Sequence, residues 1–247
     1  MAKVRADQLL VDCGLADSRE RAKRLIMAGQ VYLLRNGQKE PVAKPGQPLP
    51  PDAELTLKEG ERFVSRGGYK LLTAIDTFGL DVAGKVCLDA GASTGGFTDC
   101  LLQHGATRVY AVDVGYGQLH PKMRDDARVV VHERCNLRHA APDLIPEPVD
   151  LVVADVSFIS LTMILEPCMQ WLRPGGAVAA LVKPQFELGA GRTDKGVVRD
   201  EADQQEAVAK VRRFAEETLG LVFKGCVPSK IKGPKGNQEY MLYMVRG

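Results

Sequence analysis

A chain of 247 residues, 45% hydrophobic and 26% charged with a net charge of +2, is an ordinary folded protein of one large or two unequal domains. It is not a globally basic nucleic-acid binder, so any basic surface must be local; nor does any apolar run approach the roughly 20 residues of a membrane helix, or the first residues the core of a signal peptide. Six singly scattered cysteines (Cys13, Cys87, Cys100, Cys135, Cys168, Cys226) argue against a zinc site or a disulfide framework, leaving a cytoplasmic, soluble protein with neither membrane nor metal as partner.

Residues 1–59 read as a small α+β front domain. Leu9, Leu10 and Val11 suit a short helix closed by Gly14. Asp17 or Ser18 caps a second helix from Arg19 to Ala28, with Ala22, Leu25 and Ile26 at helical spacing and Gly29 as its stop. Short strands follow over 31–34 and 54–57, separated by a Pro/Gly-rich loop over 41–52. Lys58 to Glu61 has the composition of a connector, and 60–66 is taken as the linker to a second domain, 67–247.

The second domain alternates strands (86–90, 108–113, 129–131, 149–155, 177–183) with helices (97–104, 160–172, 201–219). That alternation predicts an α/β fold with a doubly wound, largely parallel Rossmann-like sheet. Two closing runs, 221–228 and 239–245, have no helix between them and predict an antiparallel hairpin at the sheet edge, a feature of methyltransferase sheets.

The first strand opens into Asp89-Ala90-Gly91-Ala92-Ser93-Thr94-Gly95-Gly96-Phe97, and then a helix. Its glycines read G-x-x-x-G-G rather than the dinucleotide spacing G-x-G-x-x-G. Asp89 would repel a pyrophosphate but suits a cationic ligand, and Asp113 ends the next strand where an acid accepts hydrogen bonds from a ribose diol. The turn therefore points to S-adenosylmethionine held by Asp89, Gly91, Ser93, Thr94, Gly95, Gly96, Phe97 and Asp113. Asn136, after the third strand, is a candidate contact to the adenine, or a loop cap.

Adjacent strand ends of a parallel sheet converge on the ligand crevice, so Asp155 and Lys183 should be neighbours there. Lys70 lies on the helix before the first strand, and Glu239 begins the last run. Methyl transfer to a hydroxyl needs a base with high proton affinity, a task lysine performs when desolvation or a second cation keeps it neutral.

These four residues resemble the Lys-Asp-Lys-Glu tetrad of the FtsJ-like ribose 2′-O-methyltransferases. More closely, the chain resembles the TlyA family of rRNA 2′-O-methyltransferases, whose members also carry the name haemolysin. The resemblance rests on Phe63-Val64-Ser65-Arg66-Gly67-Gly68-Tyr69-Lys70, the 89–97 turn, Asp155-Val156-Ser157-Phe158-Ile159-Ser160 and Val182-Lys183-Pro184-Gln185-Phe186-Glu187. It implies a catalytic set of Lys70, Asp155, Lys183 and Glu239, with Lys183 as base, and ribosomal RNA or ribosomal subunits as partner. It also implies a coupling role for Arg62-Phe63-Val64, which is similar but not identical to the family's linker stretch.

The front domain resembles the αL RNA-binding module of a small-subunit ribosomal protein. Arg5 precedes its first helix, and Arg19, Lys23 and Arg24 form a basic stripe opposite the apolar residues of the second, suited to phosphates of folded RNA. A second basic segment carries Lys230, Lys232 and Lys235. The glycine- and charge-rich loop 187–200 reads as a segment that orders on RNA binding, or as a plain connector. Two alternatives stand beside the enzyme: a non-catalytic RNA-binding or ribosome-assembly factor, and a haemolysin.

Overall fold

The computed structural model describes residues 3–58 and 61–247; Met1, Ala2 and the Glu59-Gly60 stretch of the expected connector lie outside the described residues. The chain divides into two compact units, 1–62 and 63–247.

The front unit is built from β1 (Val4–Arg5), α1 (Ala6–Asp12), α2 (Arg19–Met27), β2 (Val31–Arg35), β3 (Gln38–Pro41), β4 (Pro48–Leu49) and β5 (Leu55–Leu57). Ser18, not Asp17, caps α2, its hydroxyl accepting from the Arg21 amide at 3.3 Å. The expected loop over 41–52 is partly strand. Pro48–Leu49 pairs antiparallel with Val4–Arg5, and Gln38–Pro41 forms a hairpin with β2. Both pairings are too short for their periodicity to stand out from the surrounding prolines and glycines. Leu9, Leu10, Ala22, Ile26, Val31 and Leu33 bury into one core.

The second unit runs α3 (Gly67–Phe78), β6 (Val86–Ala90), α4 (Gly96–Gln103), β7 (Arg108–Val112), α5 (Pro121–Arg124), β8 (Val129–His132), β9 (Val149–Ala154), α6 (Thr162–Cys168), β10 (Leu172–Val182), α7 (Pro184–Glu187), α8 (Glu201–Glu217), β11 (Leu221–Pro228) and β12 (Tyr240–Arg246). Its strands form one seven-stranded sheet in the order β11-β12-β10-β9-β6-β7-β8, parallel except for β12, which runs antiparallel to both neighbours. Alternate residues serve opposite faces. Leu88, Tyr110, Val152, Val178 and Ala180 face α6 and α8, while Cys87, Val109, Leu151, Val153 and Ala179 face α3 and α4.

The expected 160–172 helix is shorter, Thr162–Cys168, with Pro167 inside its last turn. A proline there removes a backbone donor and ends the helix early. Residues 63–66, assigned to the linker from sequence, belong to the second unit. Phe63 is 1% exposed and meets Tyr69 edge-on, ring centroids 5.1 Å apart. Its ring lies where a Cβ on Gly68 would have to go.

Candidate active site

The parallel order reverses between β6 and β9, which opens a crevice at the C-terminal ends of these strands. The 89–97 turn fills its rim. Gly91 has φ +86°, and a Cβ there would stand 2.9 Å from the Asp155 carbonyl oxygen. Gly95, at φ +94°, abuts Leu119 and Met123 instead, so its role in the turn is packing. Gly96 leaves room for the Ser65 hydroxyl and the Gly68 amide. The Val64 amide donates to Asp99 Oδ2 at 2.9 Å, so segment 63–68 is fastened to α4 directly behind the turn.

Asp89 is fully buried behind this turn rather than in a cavity wall. Its Oδ2 accepts from Thr98 Oγ1 at 2.6 Å, anchoring the first turn of α4, while Oδ1 has no hydrogen-bond partner. Burial pushes its carboxyl up to about 7; the Thr98 hydroxyl opposes that rise, and Asp155 and Asp113 add to it. Asp113 accepts from the Ser93 amide at 2.8 Å and the Gly115 amide at 2.7 Å, shaping the bend after β7. Asn136 is a loop cap, its Oδ1 accepting from the Arg138 amide at 3.1 Å, and it also lines a cavity.

Three cavities meet around these strand ends. One of about 250 Å3 is lined by Gly91, Ser93, Thr94, Gly96, Phe97, Lys70, Asp155 and Lys232. A second, of about 470 Å3, is lined by Gly91, Ser93, Asp113, Asn136, Val156 and Phe158. The third, of about 570 Å3, holds Ser157, Phe158, Lys183, Gln185, Phe186, Lys235 and Glu239. Lys230 is exposed and lines none of the three.

The four charged residues form two ion pairs. Lys183 Nζ lies 2.6 Å from Asp155 Oδ1 and donates to Ser157 Oγ at 2.8 Å. Lys70 Nζ lies 2.6 Å from Glu239 Oε2. Lys70, Lys183 and Glu239 are 8%, 7% and 1% exposed, so little water competes with these contacts. Gly233 stands against the Glu239 carboxylate, where a Cβ would meet Oε1 at 2.5 Å.

The sequence reading assigned no role to several residues that shape the site. Glu187 is nearly buried; its carboxylate accepts from Ser160 Oγ at 2.5 Å and the Leu161 amide at 2.7 Å, with Lys210 Nζ at 3.5 Å. It therefore ties the loop carrying Asp155 and Ser157 to the segment carrying Lys183. Phe158 is 91% exposed at φ +67°, its ring 5.1 Å from that of Phe186. An exposed aromatic held in that backbone region is the local signal of function, and it is invisible in a sequence. Gln185 Oε1 is buried without a hydrogen-bond partner. In the 187–200 loop, residues 196–198 are fastened by Asn237, which accepts from the Val198 amide at 2.9 Å and donates to the Gly196 carbonyl at 2.8 Å.

The sequence pattern of the FtsJ-like methyltransferases matches residues 63–246, the second unit but for its last residue. The chain belongs to the FtsJ-like methyltransferase family. Over 98% of its length this FtsJ-like methyltransferase is 46% identical to the 16S/23S rRNA (cytidine-2′-O)-methyltransferase TlyA of Mycobacterium tuberculosis, covering 90% of that protein. It is 37% identical, over 98% of its length, to all of Hemolysin A of Brachyspira hyodysenteriae. A Streptococcus thermophilus protein solved under a hemolysin name superposes with TM-score 0.74 and 44% identity, covering all of this chain and 89% of that one. Among the described residues of this FtsJ-like methyltransferase no helix is long and apolar enough to cross a membrane, and no three His, Cys, Asp or Glu side chains converge to hold a metal ion.

Proposed function

We propose that this FtsJ-like methyltransferase transfers the methyl group of S-adenosylmethionine to a ribose 2′-hydroxyl of ribosomal RNA, with Lys183 as base. The observation that carries this reading is the placement of Lys183. Its amine is nearly buried, sits on Asp155 and Ser157, and lines a cavity next to the glycine turn.

The residues present fit the cofactor. Asp89 leaves a buried carboxylate oxygen unpartnered behind the turn, and its charge there favours a cationic ligand on the cavity side of the turn through space rather than by contact. Ser93, Thr94, Gly96 and Phe97 line the smaller cavity beside the turn, and Asp113 and Asn136 the larger, where they suit the ribose and the adenine. When bound, the cofactor supplies a sulfonium methyl group already activated for displacement.

The chain's own residues then provide position and proton transfer. Lys183 first releases to solvent the proton it carries in its ion pair with Asp155; the acceptor hydroxyl then gives its proton to the freed amine as its oxygen takes the methyl group. Asp155 and Ser157 stabilise the ammonium that forms, in a place largely closed to water. Lys70, fixed by Glu239, presents a second cation beside the turn and orients the ribose or its phosphate. Phe158, exposed at the rim of two cavities, offers a face on which the acceptor's base stacks.

The M. tuberculosis relative, named for cytidine-2′-O methylation of 16S and 23S rRNA, supports the choice of acceptor. The basic front unit and Lys230, Lys232 and Lys235 support a folded RNA as its owner. Mass-spectrometric mapping of methylated riboses in rRNA, with and without the protein, tests the reading. A new 2′-O-methyl group that depends on Lys183 supports it; an unchanged map with cofactor bound refutes it.

A further inference from the structure

We propose that Asp7 is the positioning residue of a phosphate clamp in the front unit, holding the guanidiniums of Arg5 and Arg19 side by side for RNA. This rests on the reading that the front unit binds RNA, and it adds how the surface is organised.

Asp7 is fully buried, yet its two partners are about half exposed. Arg5 docks in fork fashion, Nε to Oδ1 and Nη2 to Oδ2, each at 2.9 Å. Arg19 reaches the same Oδ2 through Nη2 at 3.3 Å. One bidentate guanidinium is enough to neutralise a buried carboxylate, so the second arginine is in excess of what folding requires. Two half-exposed cations converging on one anion leave a net positive site with donor nitrogens not committed to Asp7. Arg5 keeps Nη1 free of Asp7, and Arg19 commits a single nitrogen out of its fork.

The arrangement is held from several directions. Arg5 lies in β1, paired to Pro48 of β4, and the Asp7 amide donates to the Pro45 carbonyl at 3.0 Å. Gly46 gives the Arg5 guanidinium its space, since a Cβ there would stand 3.1 Å from Nη1. Arg5 is also the largest reason why the Asp7 carboxyl is held down to about 2, so the anchor stays ionised at any physiological pH. Lys23 differs: its ammonium is spent on the exposed Glu20 at 2.7 Å. Arg19 of the basic stripe expected along α2 thus also belongs to a pair built across α2 and β1. Such a pair meets a phosphate without first losing the freedom of two long side chains.

The experiment is filter binding of the full chain to purified bacterial ribosomal RNA between 50 and 200 mM KCl. Asp7→Asn removes a negative charge, so a surface acting by charge alone binds RNA more tightly. The clamp binds more weakly, by roughly tenfold, with a shallower dependence of log K on log salt. Arg5→Lys keeps the charge on the surface but loses the fork, and the clamp again predicts weaker binding. That variant carries the test alone if circular dichroism shows Asp7→Asn unfolded. Wild-type or tighter binding by both variants overturns the clamp while leaving RNA binding by the front unit intact. Unchanged binding by Arg5→Ala and Arg19→Ala as well overturns the RNA-binding reading together with it.

Discussion

Asp155 and Lys183 sit on adjacent parallel strands and meet at 2.6 Å just past the last paired residues, Ala154 and Ala180. The pairing is a product of sheet register rather than of local sequence, because each residue follows a buried apolar run, 151–154 or 178–182, that fixes where it emerges. Lys183→Ala should lower single-turnover methyl transfer by roughly 10²- to 10⁴-fold. Asp155→Asn should lower it by roughly 10²-fold or more. Because the two act as a unit, the double variant should be little worse than Lys183→Ala. Strictly multiplicative losses would separate them.

Asp89 supplies a pH dependence. Its folded-state carboxyl titrates near 7, above the ordinary value of 3.8, so the folded protein holds a proton that the unfolded chain releases. Its contribution to stability is full below about pH 4 and is lost as pH rises through 7. Thermal melts should therefore show stability falling over that window relative to Asp89→Asn. The same sign makes a cationic ligand bind better once Asp89 is ionised. Calorimetry should find S-adenosylmethionine affinity rising between pH 6 and 8, with proton release on binding, and a flat profile for Asp89→Asn.

Glu187 links the segment that carries Asp155 and Ser157 to the one that carries Lys183. Glu187→Gln retains an acceptor but loses the charge that holds Ser160, Leu161 and Lys210 together. Urea unfolding should report a loss of about 1–3 kcal/mol. Transfer should also fall at saturating RNA, with cofactor affinity unchanged. A stability loss with wild-type turnover would confine Glu187 to the fold.

Phe158 is expected to act on the acceptor alone. Phe158→Ala removes an exposed side chain and leaves the backbone setting as it was, so the melting temperature should hold. Affinity for RNA should drop by about 1–3 kcal/mol if its ring stacks a base. Equal loss of cofactor binding in equilibrium dialysis would argue against that role.

Packing behind the turn gives a last prediction. Gly96→Ala drives a methyl group into Ser65 and the Gly68 amide, and should cost about 1–3 kcal/mol by overpacking. Ser65→Gly in the same chain should recover part of it, readable as a partial return of the urea midpoint.

The sequence made the parallel core legible because β6, β7 and β9 are short apolar runs with helices between them, and the closing hairpin because no helix separates β11 from β12. It misjudged places where a few residues decide. Pro167 shortens α6, and the strands at 38–41 and 48–49 lack a periodic signal of their own. The proximity of Asp155 and Lys183 followed from strand order. That Lys70 pairs with Glu239, that Glu187 bridges two loops and that Arg19 joins Arg5 on Asp7 depend on side-chain approach between separate segments. Nothing in residue spacing encodes such contacts.

The antiparallel β12 lies inside the sheet, between β10 and β11, though it is made after every other strand. On a translating ribosome β10 and β11 must wait, edges unpaired, until residues 239–246 emerge to join them. The same late segment delivers Glu239 to Lys70. A nascent chain therefore lacks the Lys70–Glu239 pair until residues 239–246 have left the ribosome, and a frameshift or early stop that removes these residues leaves an unfinished sheet for proteases to find.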